Sequence, residues 1–240
     1  MDNPAYVALT RQSGLARALQ VVANNIANIS TTGYRREGAI FAEMLVAQPD
    51  KPGTLAMTAL RARHTDLTPG GVRNTGGRLD FALEGPGFFR IETAQGERLT
   101  RRGSFMLSPD SELVTPEGDR VLDEGGAPIF IPPDAAVISV AADGTIDADG
   151  TPVGRLGLVE LARPADLSRE SGVLFVPEGE ILPAETTRVI QGAVEGSNVD
   201  PVLEMARMIE IQRAYELGAR FLDREDERIR AVIRTLGRAG

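Results

Sequence analysis

The chain has 240 residues, 42% of them hydrophobic and 5% aromatic, a formal net charge of −8, a single histidine and no cysteine. That length supports one large or two modest domains with a real core, while the acidic balance argues against a nucleic-acid partner and weakens a reading as a binder of anionic membranes. Without cysteine, disulfides, thiol catalysis and thiolate-bound metals are excluded.

Residues 4–29 place Val7, Leu15, Ala18, Leu19, Val22, Ile26 and Ile29 at three- to four-residue spacing, which predicts a helix. Pro4 suits its first turn, and Thr31, Thr32 and Gly33 end it, with Gly33 able to turn left-handed past the helix terminus. Residues 34–75 show no clean period and are punctuated by Pro49, Pro52, Gly53, Pro69, Gly70 and Gly71. They read as an extended connector with one short helix around 40–47.

From 76 to about 190 the signals are those of strands: short apolar runs at 79–83, 88–92, 137–140, 156–161 and 173–176 alternate with Gly, Pro and Asp clusters. Asp143-Gly144 and Asp149-Gly150 are hairpin signals. Helical spacing returns at Asp200, a capping residue followed by Pro201 at the first helical position. Met208, Tyr215, Leu222, Ile229 and Leu236 recur at heptad steps, with Ile211, Gly218, Glu225 and Val232 as the companion row. A helix from there to the chain end would be roughly 55 Å long, too long to fold back into a small globule. Glu225 in that seam is costly in a dry core, so the row is expected to be partly wet or to meet an arginine.

Few residues invite a chemical role. His64, the only histidine, lies in the connector and reads as a surface side chain. The acidic run from Asp143 to Asp149 departs from a calcium loop at Thr145, Ile146 and Pro152, so two tight turns account for it better. No phosphate-cradling glycine loop or nucleophile elbow occurs, and no catalytic, cofactor or metal residue is assigned. Asn24, Asn25 and Asn28 are unusual near a helix end, because asparagine amides compete for backbone groups. They are either caps on a fraying terminus or hydrogen-bonded contacts to other subunits. No run approaches the ~18–20 apolar residues of a membrane span. Asp2, Arg11 and Arg17 break the pattern of a secretory signal, so no membrane insertion and no cleaved signal are expected.

The run Asn24-Asn25-Ile26-Ala27-Asn28, followed by Thr32-Gly33-Tyr34-Arg35, resembles the N-terminal signature of the flagellar rod and hook protein family, the axial proteins of the bacterial flagellum. Residues 77–89 and 100–105 resemble the start of that family's β domain, and 191–199 with 208–216 its C-terminal signature. Length, the single β segment and Gly154-Arg155-Leu156-Gly157-Leu158 look most like the proximal-rod branch of F type. The distal-rod G type or a hook-type subunit is the alternative within the family.

The resemblance implies an α+β chain: terminal helices (1–33 and 191–240) paired as a coiled-coil-like inner domain, an extended connector (34–75) and an all-β outer domain (76–190). It implies a structural, non-enzymatic subunit that polymerises helically with itself and with other rod proteins into a drive shaft around the export channel. It further implies passage unfolded through the flagellar type III export apparatus, without signal cleavage, to a basal-body rod in the periplasm. Subunit contacts are then expected at Asn24, Asn25, Ile26, Asn28, Thr32, Gly33, Tyr34 and Arg35. In the C-terminal part they are expected at Asn198, Val199, Pro201, Met208, Ile211, Gln212, Arg213, Tyr215, Leu222 and Ile229. Pro86 departs from the acidic residue common in the family, and the charged run 223–230 is richer than expected. A reading of another class is a secreted β-domain hydrolase or carbohydrate-binding protein with oligomerising helical arms. Because long apolar helices gain little until neighbours cover them, both termini are expected to be largely disordered in the monomer.

Overall fold

The computed structural model describes residues 3–47 and 54–236. They group by compactness into two units: the described parts of Met1–Ala27, Glu37–Asp66 and Asp200–Gly240, and Asn28–Arg36 with Leu67–Val199. The connector expected over 34–75 is thus shared between the two.

The first unit holds two helices and a hairpin. Helix α1 spans Asn3–Ala27, and strands β1 (Glu37–Ala47) and β2 (Thr54–Thr65) pair antiparallel from Glu37↔Thr65 to Ala47↔Thr54. The short helix expected around 40–47 is therefore a strand. Continuous pairing to β2, interrupted by one bulge at Ile40/Phe41, gives the backbone cross-strand partners that an isolated turn of helix would lack. Helix α2 spans Pro201–Leu236. Asp200 caps it as expected, its Oδ1 accepting hydrogen bonds from the backbone N–H groups of Val202 (2.9 Å) and Leu203 (3.0 Å). Arg234 stands in its last turn, where positive charge suits the helix dipole.

The second unit is built of short strands: β3 (Val72–Asn74), β4 (Phe81–Glu84), β5 (Phe88–Thr93), β6 (Gly96–Thr100), β7 (Met106–Leu107), β8 (Leu113–Val114), β9 (Arg120–Val121), β10 (Ile138–Val140), β11 (Thr145–Ala148), β12 (Thr151–Arg155), β13 (Leu158–Leu161), β14 (Leu167–Ser171), β15 (Leu174–Pro177), β16 (Ile181–Pro183), β17 (Arg188–Gln191) and β18 (Ala193–Glu195). The main sheet runs β14-β15-β6-β5-β9-β8-β7, with β13 joining β5 to β16. β10, β11 and β12 form a separate meander, and β17 pairs β4 while β18 pairs β3. Both Asp-Gly signals sit in turns. Asp149 and Gly150 both take positive φ (51° and 79°), the geometry of a two-residue turn matched to strand twist, and join β11 to β12.

The core follows from alternation. Phe89 and Ile91 of β5, Phe81 and Leu83 of β4, and Leu113, Val121, Ile131 and Ile146 are buried in one cluster. The Phe105 ring meets that of Phe89 edge-on at 5.2 Å and lies 5.8 Å from Phe81. Gly103 makes this possible: a Cβ there would lie 1.6 Å from the Phe81 carbonyl oxygen, so no side chain fits where the two backbones meet.

Candidate functional site

Two buried polar centres and one helix surface carry the residues singled out by sequence. In the first unit, Asn25 is fully buried. Its Nδ2 donates to the Glu37 carbonyl (2.8 Å) and to Glu204 Oε2 (3.0 Å), and its Oδ1 accepts from the Glu37 N–H (2.9 Å). One amide thereby joins α1, the start of β1 and the first turn of α2. The other oxygen of Glu204 pairs with Arg207 at 2.8 Å. Asn25 therefore spends these hydrogen bonds inside the chain, at a position where the sequence led to the expectation of a subunit contact. Asn24 and Asn28 are half-buried; Asn24 accepts from Gln20 (3.1 Å) and Asn28 from Thr31 (3.0 Å).

The helices run antiparallel, because Asn25 reaches Glu204 while Gln12 Nε2 donates to the Tyr215 carbonyl at 2.9 Å. A Cβ on Gly218 would lie 2.8 Å from Gln12 Oε1, so the glycine allows the close approach. Along α2, Met208, Ile211, Ala214, Gly218, Leu222 and Glu225 are half-buried. Glu225 meets Arg228 at 2.5 Å, the arginine that its place in the seam called for, and its carboxyl is held below its usual range by that hydrogen bond. At the register set by these two contacts, α1 runs out opposite roughly residue 224 of α2. Everything from Asp226 to Leu236 is exposed, including Ile229, Val232, Ile233 and Leu236. Pro201, Gln212, Arg213 and Tyr215 are exposed as well, and Ile26 is half-buried.

In the second unit the segment that follows α1 is part of the β body. Gly33 takes φ +72° and its N–H donates to the Glu195 carbonyl at 2.8 Å; a Cβ there would meet the Arg101 and Arg102 backbone. Tyr34 is buried with Val173 and Val199. Arg35 and Arg101, both buried, clamp the two oxygens of Glu195 at 2.5 and 2.8 Å, and the Gly70 N–H donates to the same carboxylate at 2.8 Å. Asn198 ties the segment down through its Oδ1, which accepts from Arg36 N–H (2.6 Å), and its Nδ2, which donates to the Thr68 carbonyl (2.9 Å). Thr32 is half-buried. Gly33, Tyr34, Arg35 and Val199 are thus buried within the single chain. Sequence reading missed Glu195, Arg101 and Glu204, whose positions carry no periodic signal.

Among the acids of the β body, partial burial and then the nearby Glu117 push Asp119 up, with a hydrogen bond from Thr115 opposing that shift. Asp143 and Glu124 flank Arg155 on the surface, and Asp143 is held below the usual carboxylate range by the Thr145 backbone N–H, opposite to what a general acid needs. His64 is exposed on β2. No described helix is long and apolar enough to cross a membrane.

Three family models match in chain order: "Flagella basal body rod protein" over 6–35, "Flagellar hook protein FlgE/F/G D1 domain" over 82–148 and "Flagellar basal body rod FlgEFG protein C-terminal" over 190–235. The chain is 40% identical to the flagellar basal-body rod protein FlgF of Caulobacter vibrioides, over 99% of both chains. It is 35% identical to FlgF of Escherichia coli K12 over 95% of each. It is 32% identical to the basal-body rod protein FlgG of Agrobacterium fabrum, over 96% of this chain and 98% of that one.

Proposed function

The chain belongs to the flagellar basal-body rod protein family, F type, and we propose that it builds the rod by polymerising helically through its helical unit. It is a structural subunit of the basal body that assembles with other rod proteins. The observation that carries it is the surface of α2. One face lies on α1, while Val202, Leu203, Met205, Ile209, Leu217 and Phe221 stay exposed, and the turns beyond 225 have no α1 beside them. Apolar surface on this scale marks an interaction site.

In this reading α1 and α2 of each subunit join those of its neighbours in coiled-coil-like packing around the export channel. The β body distinguishes this rod segment from others. Pro201, Gln212, Arg213, Tyr215 and Ile229, all exposed, become contacts between subunits, joined by Leu217 and Ile233. The chain would leave the cytoplasm unfolded through the type III apparatus, need no cleaved signal and function in the periplasm, carrying torque from motor to hook. Nothing in the comparisons supports the hydrolytic alternative.

Leu217→Asp and Ile233→Asp test the reading. Each should leave the circular dichroism of the purified chain unchanged, abolish motility in a strain lacking the native gene, and leave basal bodies without a complete rod. Swimming at the parental rate with both substitutions present would refute it.

A further inference from the structure

The face of α2 that lies on α1 continues past the end of α1. From Glu204 to Glu225, buried and half-buried residues recur at steps of three or four, which is one stripe of a helix. The next steps on that stripe are Ile229, Val232 and Leu236, with Ile233 beside them, and these are 40%, 42%, 69% and 63% exposed. Antiparallel to α2, α1 reaches only to about residue 224. The open end of the seam, 226–236, is roughly 16 Å long.

Charge falls into two blocks along this end. Residues 223–227 hold four carboxylates and one arginine, and 228–240 hold four arginines and no acid. Arg228 and Arg230 reach back to Glu225 and Asp226. Asp223, Glu227 and Arg234 have no ion-pair partner among the described residues. A second copy of this segment laid antiparallel sets its arginine block along the acidic block of the first, and the reverse. A parallel copy in register sets like charges side by side, and flanking charges of this kind decide helix orientation. The covered part of the seam already takes an antiparallel helix, α1.

We propose that two free chains pair antiparallel through 226–236 of α2, each covering the open end of the other's seam. With the two-fold axis beside residues 230 and 231, Ile229 of each chain meets Val232 of the other. The end of each α2 then points at the start of the other's α1 and continues its line along the seam. A second copy fits because the segment carries both halves of the charge match itself. The contact is isologous and closes on itself, so it gives a dimer and no polymer. Resting on the reading that α2 builds the rod, the dimer covers Ile229 and Ile233 before assembly and must part before either chain joins.

Sedimentation velocity of the full-length chain carrying Leu217→Asp tests the pairing, because that substitution stops rod assembly and lies outside 226–236. Eight apolar side chains make an interface below the ~1,200 Å² of stable complexes, so monomer should prevail at ~5 µM and dimer at ~500 µM. Adding Ile229→Asp and Val232→Asp should keep the chain monomeric at both concentrations, with the circular dichroism unchanged. The chain has no cysteine, so oxidation reads the direction of pairing. A mixture of Ile229→Cys and Val232→Cys chains should form disulfide dimers about tenfold faster than either variant alone, since only the mixed pair comes within bonding reach. Monomer at ~500 µM, a dimer that survives both aspartates, or fastest cross-linking within a single variant would each overturn the proposal. Normal swimming of a strain carrying Leu217→Asp and Ile233→Asp would end the assembly reading without touching the dimer, which is measured on purified chains.

Discussion

Helix α2 runs for 36 residues and the one residue it buries is the carboxylate-bearing Glu204, whereas β5, six residues long, buries Phe88, Phe89 and Ile91. Among the described residues of the helical unit the buried apolar side chains are Ala18, Val21 and Val22, all on α1. The β body closes an aromatic and aliphatic cluster of its own. Burial of apolar area is the main favourable contribution to folding, so the β body carries the stronger core, while the helical unit leaves much of the apolar surface of α2 exposed. Each unit uses a buried glutamate to hold distant segments together, Glu195 in the body and Glu204 between the helices.

The largest effect on this contrast is expected from Glu195→Gln. Removing one charge from a buried ionic cluster leaves Arg35 and Arg101 facing each other and should destabilise the body by about 3–5 kcal/mol, read as a lower urea midpoint. A shift within error would show that the clamp contributes little and that the apolar cluster alone makes the body stable. Asn25→Ala comes next. It strands the Glu37 backbone groups and one oxygen of Glu204, at about 1–3 kcal/mol, and should speed amide exchange in α1 and α2 while leaving the β-strand amides unchanged. Uniform acceleration would mean that the two units do not open separately.

Leu217→Asp should change monomer stability by no more than about 0.5 kcal/mol, the usual range for exposed positions, while it stops assembly. A large loss of monomer stability would place that face inside the folded subunit and blur the contrast. The smallest effect compares one surface ion pair from each unit. Glu170 and Glu225 are held below their ordinary value of 4.5, each first by a hydrogen bond from an arginine, Arg98 and Arg228. The folded chain therefore keeps these protons off at pH values where the unfolded chain binds them. The resulting stability is full above 4.5 and is lost as the pH falls through the folded values. Carboxyl NMR titration should show both midpoints below 4.5, moving upward with salt because both pairs face water. A midpoint at 4.5 for either would show that its ion pair does not persist in solution.

Much of the local architecture was legible. Gly33 with its positive φ, the Asp200 cap, the Asp149-Gly150 turn and the arginine partner of Glu225 are all short-range chemistry, readable from residues a few positions apart. The hairpin of β1 and β2 was not legible. Its strands gain their backbone partners from each other, and a segment without clean alternation does not announce that. The asparagine-rich turn was legible as unusual but not in its use. Whether an amide is buried in its own chain or left for another depends on what lies against it, and Asn25 lies against Glu37 and Glu204.

Sequence alone placed the start of both helices and the end of α1 to within a few residues, the β character of the middle and the family resemblance, because helix periods, caps and turn residues act over a few neighbours. Only the tertiary structure decided that residues 28–36 join the β body, that Arg35 and Arg101 share Glu195, and that one face of α2 is covered while the other is left open. The physical reason is that an ion pair or a buried amide takes its value from proximity and desolvation. Those are set by residues far away in the chain, and no local pattern encodes them.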